Sequence, residues 1–168
     1  PAAVIRGLER EQADAIRALL SLPLADGLTR AGALRIAALL HDVSKPQTQA
    51  RAEDGTVRGF PQHAQQGAER VRDTMRRLRA SERLSSHLAA LTRHHLGLGF
   101  LVHAHPLDAH AIYRYLRDTY PVQVDVSLLS IADRLSTGGH KSEVSIERHM
   151  TIAVSVLPEA LAFDDVRS

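Results

Sequence analysis

The chain contains no cysteine, so a disulfide scaffold and a zinc-thiolate centre are both excluded. It contains no tryptophan, and aromatic residues make up only 4% of it, too few for a broad base-stacking platform. No apolar run approaches the roughly 20 residues needed to cross a bilayer, and the start of the chain shows no signal-peptide pattern. A cytoplasmic location and no membrane partner are therefore expected. Lysine is nearly missing too: Lys45 and Lys141 stand alone among the 21 basic residues, the mark of an arginine-favouring composition. The net charge of +2 is too small to argue for nucleic acid by itself. What remains is a 168-residue chain with 44% apolar residues, long enough to bury roughly 70% of its unfolded surface without a staple. One domain is expected over 1–168. Because the chain opens on Pro1, it reads as a fragment of something longer or a processed chain. Ten histidines are the compositional outlier.

The hydrophobic pattern is mostly helical. Leu8 to Leu20 carries apolar residues at helical spacing, and "LPLADG" breaks it. Thr29 can cap a second helix through Leu40, apolar on most of its circumference and so expected at the centre, with Pro46 as its stop. Asp54-Gly55 signals a short hairpin or ordered loop near residues 48–60. Helices are expected from about Gln62 to Arg79 and from a Ser81 cap to about His95. "HLGLGFLVHAHP" reads as a loop, with Pro106 in the first turn of the helix that follows. Pro121 interrupts, Val124 to Leu135 is a buried-looking helix ended by Gly138-Gly139, and a last helix, capped by Ser142, runs to about Leu157 before Pro158. The fold class is all-α.

The chemistry concentrates at helix ends. In "AALLHDVSKPQT" an apolar helix finishes on His41-Asp42, with Lys45 three residues on. A helix C-terminus favours a nearby cation, and imidazole with carboxylate is a ligand set for Mn, Fe, Co, Ni or Zn, less so for Mg. Alone, such a pair also serves as surface or cap. Asp133, in the apolar run "VDVSLLSIADRLSTGG", is either a salt-bridged residue or a third ligand from a distant helix. Asp125, in the same run, reads as a cap or an exposed residue. His63 starts a helix and His94-His95 ends another; each is open to a surface or dipole role. If these ends converge, they supply one metal with support, or two ions about 3.5–4 Å apart that clamp a phosphoester.

"LLHDVSKP" resembles the signature of the HD-domain superfamily of metal-dependent phosphohydrolases. "LRIAALLHDVSKPQT", "DGTVRGFPQHAQQGAERV", "LTRHHL", "AIYRYLRDT" and "SLLSIADRLSTGG" follow in the order seen in the HD domain of bacterial tRNA nucleotidyltransferases (CCA-adding enzymes) and poly(A) polymerase-like proteins. The resemblance implies an all-α HD-domain helical bundle around one or two divalent metal ions. It implies that His41, Asp42 and Asp133 are metal ligands, that His63, His95 and His94 match positions that ligate a second ion, and that Asp42 and Lys45 are catalytic. It further implies that Lys45, and Arg134 beside Asp133, face a substrate phosphate. The chain departs from the family pattern twice. No histidine precedes His41 where the family has one on the first helix, a position that aligns just before Pro1, and Ser44 stands where the family has glycine before the lysine.

Of the remaining histidines, His87 reads as core or surface, His103, His105 and His110 as exposed in a loop and helix start that can rim a cleft, and His140 and His149 as surface. The run Arg70, Arg72, Arg76, Arg77, Arg79, Arg83 reads as a solvated face or a phosphate-backbone contact. The resulting expectation is a divalent-metal phosphohydrolase acting on nucleotides or RNA-end phosphoesters. The alternative is an accessory domain that positions tRNA or other RNA for an upstream nucleotidyltransferase core in the same chain.

Overall fold

The computed structural model describes residues 8–103, 107–136 and 142–165, which excludes His105, Pro106, Gly138, Gly139, His140 and Lys141. The all-α expectation holds: nearly all regular structure among the described residues is helical, and the strands are two or three residues long. Contacts along the chain divide it into two compact units, Pro1–Leu22 with His95–Ser168, and Pro23–His94.

In the second unit, strands β1 (Pro23–Ala25) and β2 (Leu28–Thr29) form a hairpin where the sequence suggested only a break. Asp26 and Gly27 both take positive φ, 53° and 75°, as a tight two-residue hairpin turn requires. The Asp26 carboxylate then accepts from the Ser81 backbone N–H at 2.8 Å and ties the hairpin to the start of a later helix. Helix α1 (Arg10–Ser21) belongs to the first unit; α2 (Arg30–Leu40) follows β2 and is capped by the Thr29 hydroxyl, which accepts from Gly32 N–H. The centre expected of α2 is not found. Leu39 is 82% exposed, and only Ala33 and Ala37 are buried on this helix. The small residues face inward so that the backbone lies close to its neighbours, and the large leucine points to solvent.

Pro46 does not stop α2, which ends at Leu40. It sits in the first turn of a short helix, α3 (Lys45–Thr48), where its missing N–H costs nothing. The expected second hairpin is present as β3 (Ala50–Arg51) and β4 (Val57–Gly59). In its turn Asp54 accepts from the Thr56 N–H, which holds the carboxyl below its ordinary range. Helices α4 (His63–Arg77) and α5 (Glu82–His94) pack through Ala64, Gly67, Ala68, Val71 and Met75 on one side and Leu84, Leu88, Leu91 and Thr92 on the other. Ser81 caps α5 through Leu84 N–H as expected.

In the first unit the expected loop "HLGLGFLVHAHP" contains helix α6 (Gly97–Val102), because Leu98, Leu101 and Val102 bury one face. Gly97 is required there: a Cβ would lie 2.9 Å from the Tyr115 ring. Helices α7 (Ala109–Thr119) and α8 (Gln123–Ser136) follow. Every residue of α8 from Gln123 to Ile131 is buried, so α8 is the central helix of this unit. Asp125 is fully buried, not the cap or exposed residue expected. Tyr115 shares a 2.7 Å hydrogen bond with Ser127, and burial pushes its phenol pKa up. Helix α9 (Ser142–Asp165) runs through Pro158, which the sequence marked as its end. The buried stripe Ala153, Val156, Leu157, Ala160 and the 3.1 Å bond from Gln123 Nε2 to the Ala160 carbonyl outweigh the roughly 3 kcal/mol a mid-helix proline costs.

Candidate metal centre

The HD turn is built by backbone before side chains enter it. His41 is the C-cap of α2, and its N–H bonds back to Ala37 O at 2.8 Å. Lys45 N–H closes the next turn on Asp42 O at 3.0 Å. That places the Asp42 carboxylate between three groups: Lys45 Nζ lies 2.6 Å from Oδ2, His41 Nε2 lies 3.1 Å from Oδ2, and His63 Nε2 lies 3.5 Å from Oδ1. The turn is semi-enclosed, with the Asp42 and Lys45 side chains about a third exposed and that of His41 less so.

Both histidines are oriented in the same way. His41 Nδ1 is 2.9 Å from Ala38 O, and His63 Nδ1 is 2.7 Å from Phe60 O. A carbonyl only accepts, so each Nδ1 carries the hydrogen, and in the neutral ring each Nε2 carries the lone pair. This is the backbone anchoring that metal-bound histidines use. For His63 the anchoring carbonyl is presented by a left-handed Gln62, φ 59°, which folds Phe60 back over the helix start. The Phe60 ring meets His63 edge-on at 6.4 Å and lies 5.5 Å from Lys45 Nζ, a cation–π distance.

The geometry has a chemical consequence. His41 Nε2 and Asp42 Oδ2 are both acceptors at 3.1 Å, so a positive charge must mediate between them, either a ring proton or a cation. His95, joined directly to the end of α5, adds a third donor: His41, Asp42 and His95 each offer a ligand atom, and these lie within 4.8 Å of one another. His95 is 1% exposed and His63 7%. Two imidazoles and a carboxylate fit a divalent first-row metal by donor type. This group takes His95, whereas its neighbour His94, half-buried, is not part of it.

Asp133 and Arg134 lie on α8 in the first unit, both half-buried. Arg134 Nε is buried and has no hydrogen-bond partner among the described residues. His149, expected at the surface, is instead buried on α9. Burial lowers its pKa below the ordinary histidine value; the Ser145 carbonyl opposes this, Arg134 and His103 add to it, and Asp133 opposes it. His103 and His110 are exposed.

What the sequence did not disclose is the support: the carbonyls of Ala38 and Phe60, the Phe60 ring, and Gly67. A Cβ on Gly67 would sit 3.0 Å from Thr92 Cγ2 and 3.6 Å from His41 O, so this glycine lets α4 approach both α5 and the HD turn. No curated protein matches the chain. The HD-domain family pattern matches residues 17–138, which include the turn, His63 and His95. HD-domain proteins are in general metal-dependent phosphohydrolases, and the donor set found at the turn accords with that chemistry. With most of its length matched and the paired donors in place, the chain belongs to the HD-domain family.

Proposed function

We propose that the protein is a divalent-metal-dependent phosphohydrolase acting on nucleotides or RNA-end phosphoesters. The observation that carries this reading is the His41–Asp42 pair, two acceptors held face to face by backbone anchors beside a lysine ammonium. A bound divalent ion, one or two of them, would activate water and polarise the phosphoryl oxygens. His41, Asp42 and His95 would hold it, with Asp133 completing the set and His63 or His94 supporting a second ion. Asp42 fixes the Lys45 ammonium, and Lys45 is poised to balance a phosphate charge as a compact point charge. Arg134, whose buried Nε has no hydrogen-bond partner among the described residues, would be the second phosphate-facing cation by the family resemblance. The test is metal analysis with a screen of generic phosphoesters on wild type, Asp42→Ala and Asp133→Ala. The reading requires bound metal and turnover in wild type and their loss in both variants; a metal-free, inactive wild type would sink it.

The second reading is an accessory HD domain that positions tRNA for an upstream nucleotidyltransferase core, in line with the order of motifs along the chain. The exposed arginines of α4, α5 and the turn between them support it: Arg72 and Arg76 are held by Glu82 and Asp73, while Arg77, Arg79 and Arg83 extend the basic face. Charge reversal at Arg77 and Arg79 should weaken RNA binding and flatten its salt dependence. Unchanged binding removes this face as an RNA contact.

A further inference from the structure

Ser44 is the residue at which the HD turn departs from the family's glycine. Its backbone, φ −99° and ψ −2°, is open to any L-residue, so the serine introduces no strain. Its side chain is not packed away as filler. The residue is only 2% exposed, yet its side chain reaches a surface depression. This depression is an open groove of about 300 Å³ lined by Ser44 and by the exposed Gln66, Glu69, Arg70 and Asp73.

Gln66, Glu69, Arg70 and Asp73 follow the i, i+3, i+4, i+7 spacing of one helical stripe on α4. Gln66 and Arg70 also lie three and seven residues after His63, so the stripe begins at the residue that reaches Asp42. Ser44 is bonded directly to Lys45, with their Cα atoms about 3.8 Å apart. The groove therefore starts one residue from the candidate phosphate contact. Its volume is at the lower end of the roughly 300–1,000 Å³ of small-molecule sites, room for one sugar ring.

The lining decides what it takes. One guanidinium faces two carboxylates, Glu69 and Asp73, and Asp73 is also engaged by Arg76 at 2.8 Å. A second phosphate would meet net negative charge. Carboxylates accept from hydroxyls, the guanidinium and the Gln66 amide can donate, and the serine does both. Carboxylates take the ribose hydroxyl in the same way in dinucleotide-binding folds. We propose that this groove binds the vicinal ribose hydroxyls of a ribonucleoside phosphate and that Ser44 is a specificity-determining residue. The proposal rests on the phosphohydrolase reading and names its substrate class.

The experiment compares uridine 5′-monophosphate with its 2′,3′-dideoxy counterpart and with 4-nitrophenyl phosphate, on the whole chain with metal. Wild type should favour the ribonucleotide over the dideoxy compound at least tenfold in kcat/KM, and Ser44→Gly and the exposed Glu69→Gln should bring that ratio toward one. Independently of turnover, uridine titrated into isotope-labelled protein should shift the amides of Ser44 and of Gln66 to Asp73. A ratio near one in wild type, a ratio unmoved by both variants, or a uridine titration that leaves these amides in place overturns the proposal. If 4-nitrophenyl phosphate is untouched while uridine shifts the groove amides, the phosphohydrolase reading fails and the sugar site stands.

Discussion

Replacing Asp42 by alanine should abolish metal-dependent stabilisation while barely changing the stability of the metal-free protein. The carboxylate's shortest contact in the turn is Lys45, and both side chains are about a third exposed. Pairs this accessible are worth about 0–1 kcal/mol, because water screens the attraction and two side chains lose freedom. A chain of this size moves its Tm by about 2–4 °C per kcal/mol, so metal-free wild type and Asp42→Ala should melt within about 4 °C of each other. Metal acts differently. At a free concentration one hundred times Kd, a ligand that binds only the folded state adds about 2.7 kcal/mol, which corresponds to a rise of about 5–11 °C. Loss of a donor that coordinates directly should weaken affinity by at least about 100-fold, since even outer partners cost 10–100-fold. At the same metal concentration the variant then gains only about 0.4 kcal/mol, or about 1–2 °C. The assay is thermal melting after chelation, with manganese added back at matched concentrations. An equal metal-induced rise in both proteins would show that Asp42 is not a ligand and would refute the centre as described.

Lys45→Ala should lower kcat/KM on a phosphoester by roughly 100-fold, as loss of a preorganised charge-stabilising donor does, without weakening manganese binding in a calorimetric titration. Gly67→Val should destabilise the chain by about 1–3 kcal/mol and lower Tm by at least about 2 °C, because the added atoms meet Thr92 at 3.0 Å and the His41 carbonyl just beyond; a melt matching wild type would contradict the tight packing of α4. His149 has a lowered pKa in the folded state, so below the ordinary histidine value the unfolded chain binds the proton more readily and stability falls with acidification. Denaturant melts at pH 7.5 and 5.5 should show a smaller loss in His149→Leu than in wild type, with equal losses counting against the burial argument.

The helices and the donor residues were legible in the sequence because each leaves a mark in residue type. Apolar spacing placed α4, α5 and α8 within two residues of their ends, and Thr29 and Ser81 marked true caps. The errors share a cause, which is tertiary burial overriding a local signal. Pro158 reads as a stop until Leu157 and Ala160 are seen packed on either side of it. Gly97 and Gly99 read as a loop until Leu98 and Leu101 are buried. Leu34, Leu39 and Leu40 made α2 look central, but its alanines make the buried contact and α8 is the enclosed helix. Asp26-Gly27 carries the same hairpin signal as Asp54-Gly55 and was obscured by the nearby Pro23. Within the candidate site, His41, Asp42, Lys45, His63 and His95 can be named from sequence. The carbonyls of Ala38 and Phe60 cannot, because every residue has one and only the fold selects which of them faces a ring nitrogen.

Those carbonyls also explain why a lysine, in a chain with almost none, stands at the turn. With both Nδ1 atoms committed to backbone, the Nε2 lone pairs and the Asp42 oxygens all present negative density to one small region. Some cation must neutralise it whenever no metal does, and the Lys45 ammonium at 2.6 Å from Oδ2 is placed to do so. On the proposed phosphohydrolase reading, the same charge would be wanted beside a phosphate when metal and substrate are present. On that reading, a group that served both states would have to move between them. An ammonium on a four-carbon stem, steadied by the Phe60 ring at 5.5 Å, can swing without breaking a bidentate fork. A guanidinium locked onto Asp42 by two parallel bonds would hold the carboxylate against the metal. The proposed reading thus accounts for a lysine in an arginine-favouring chain: at this position the cation would have to be able to let go.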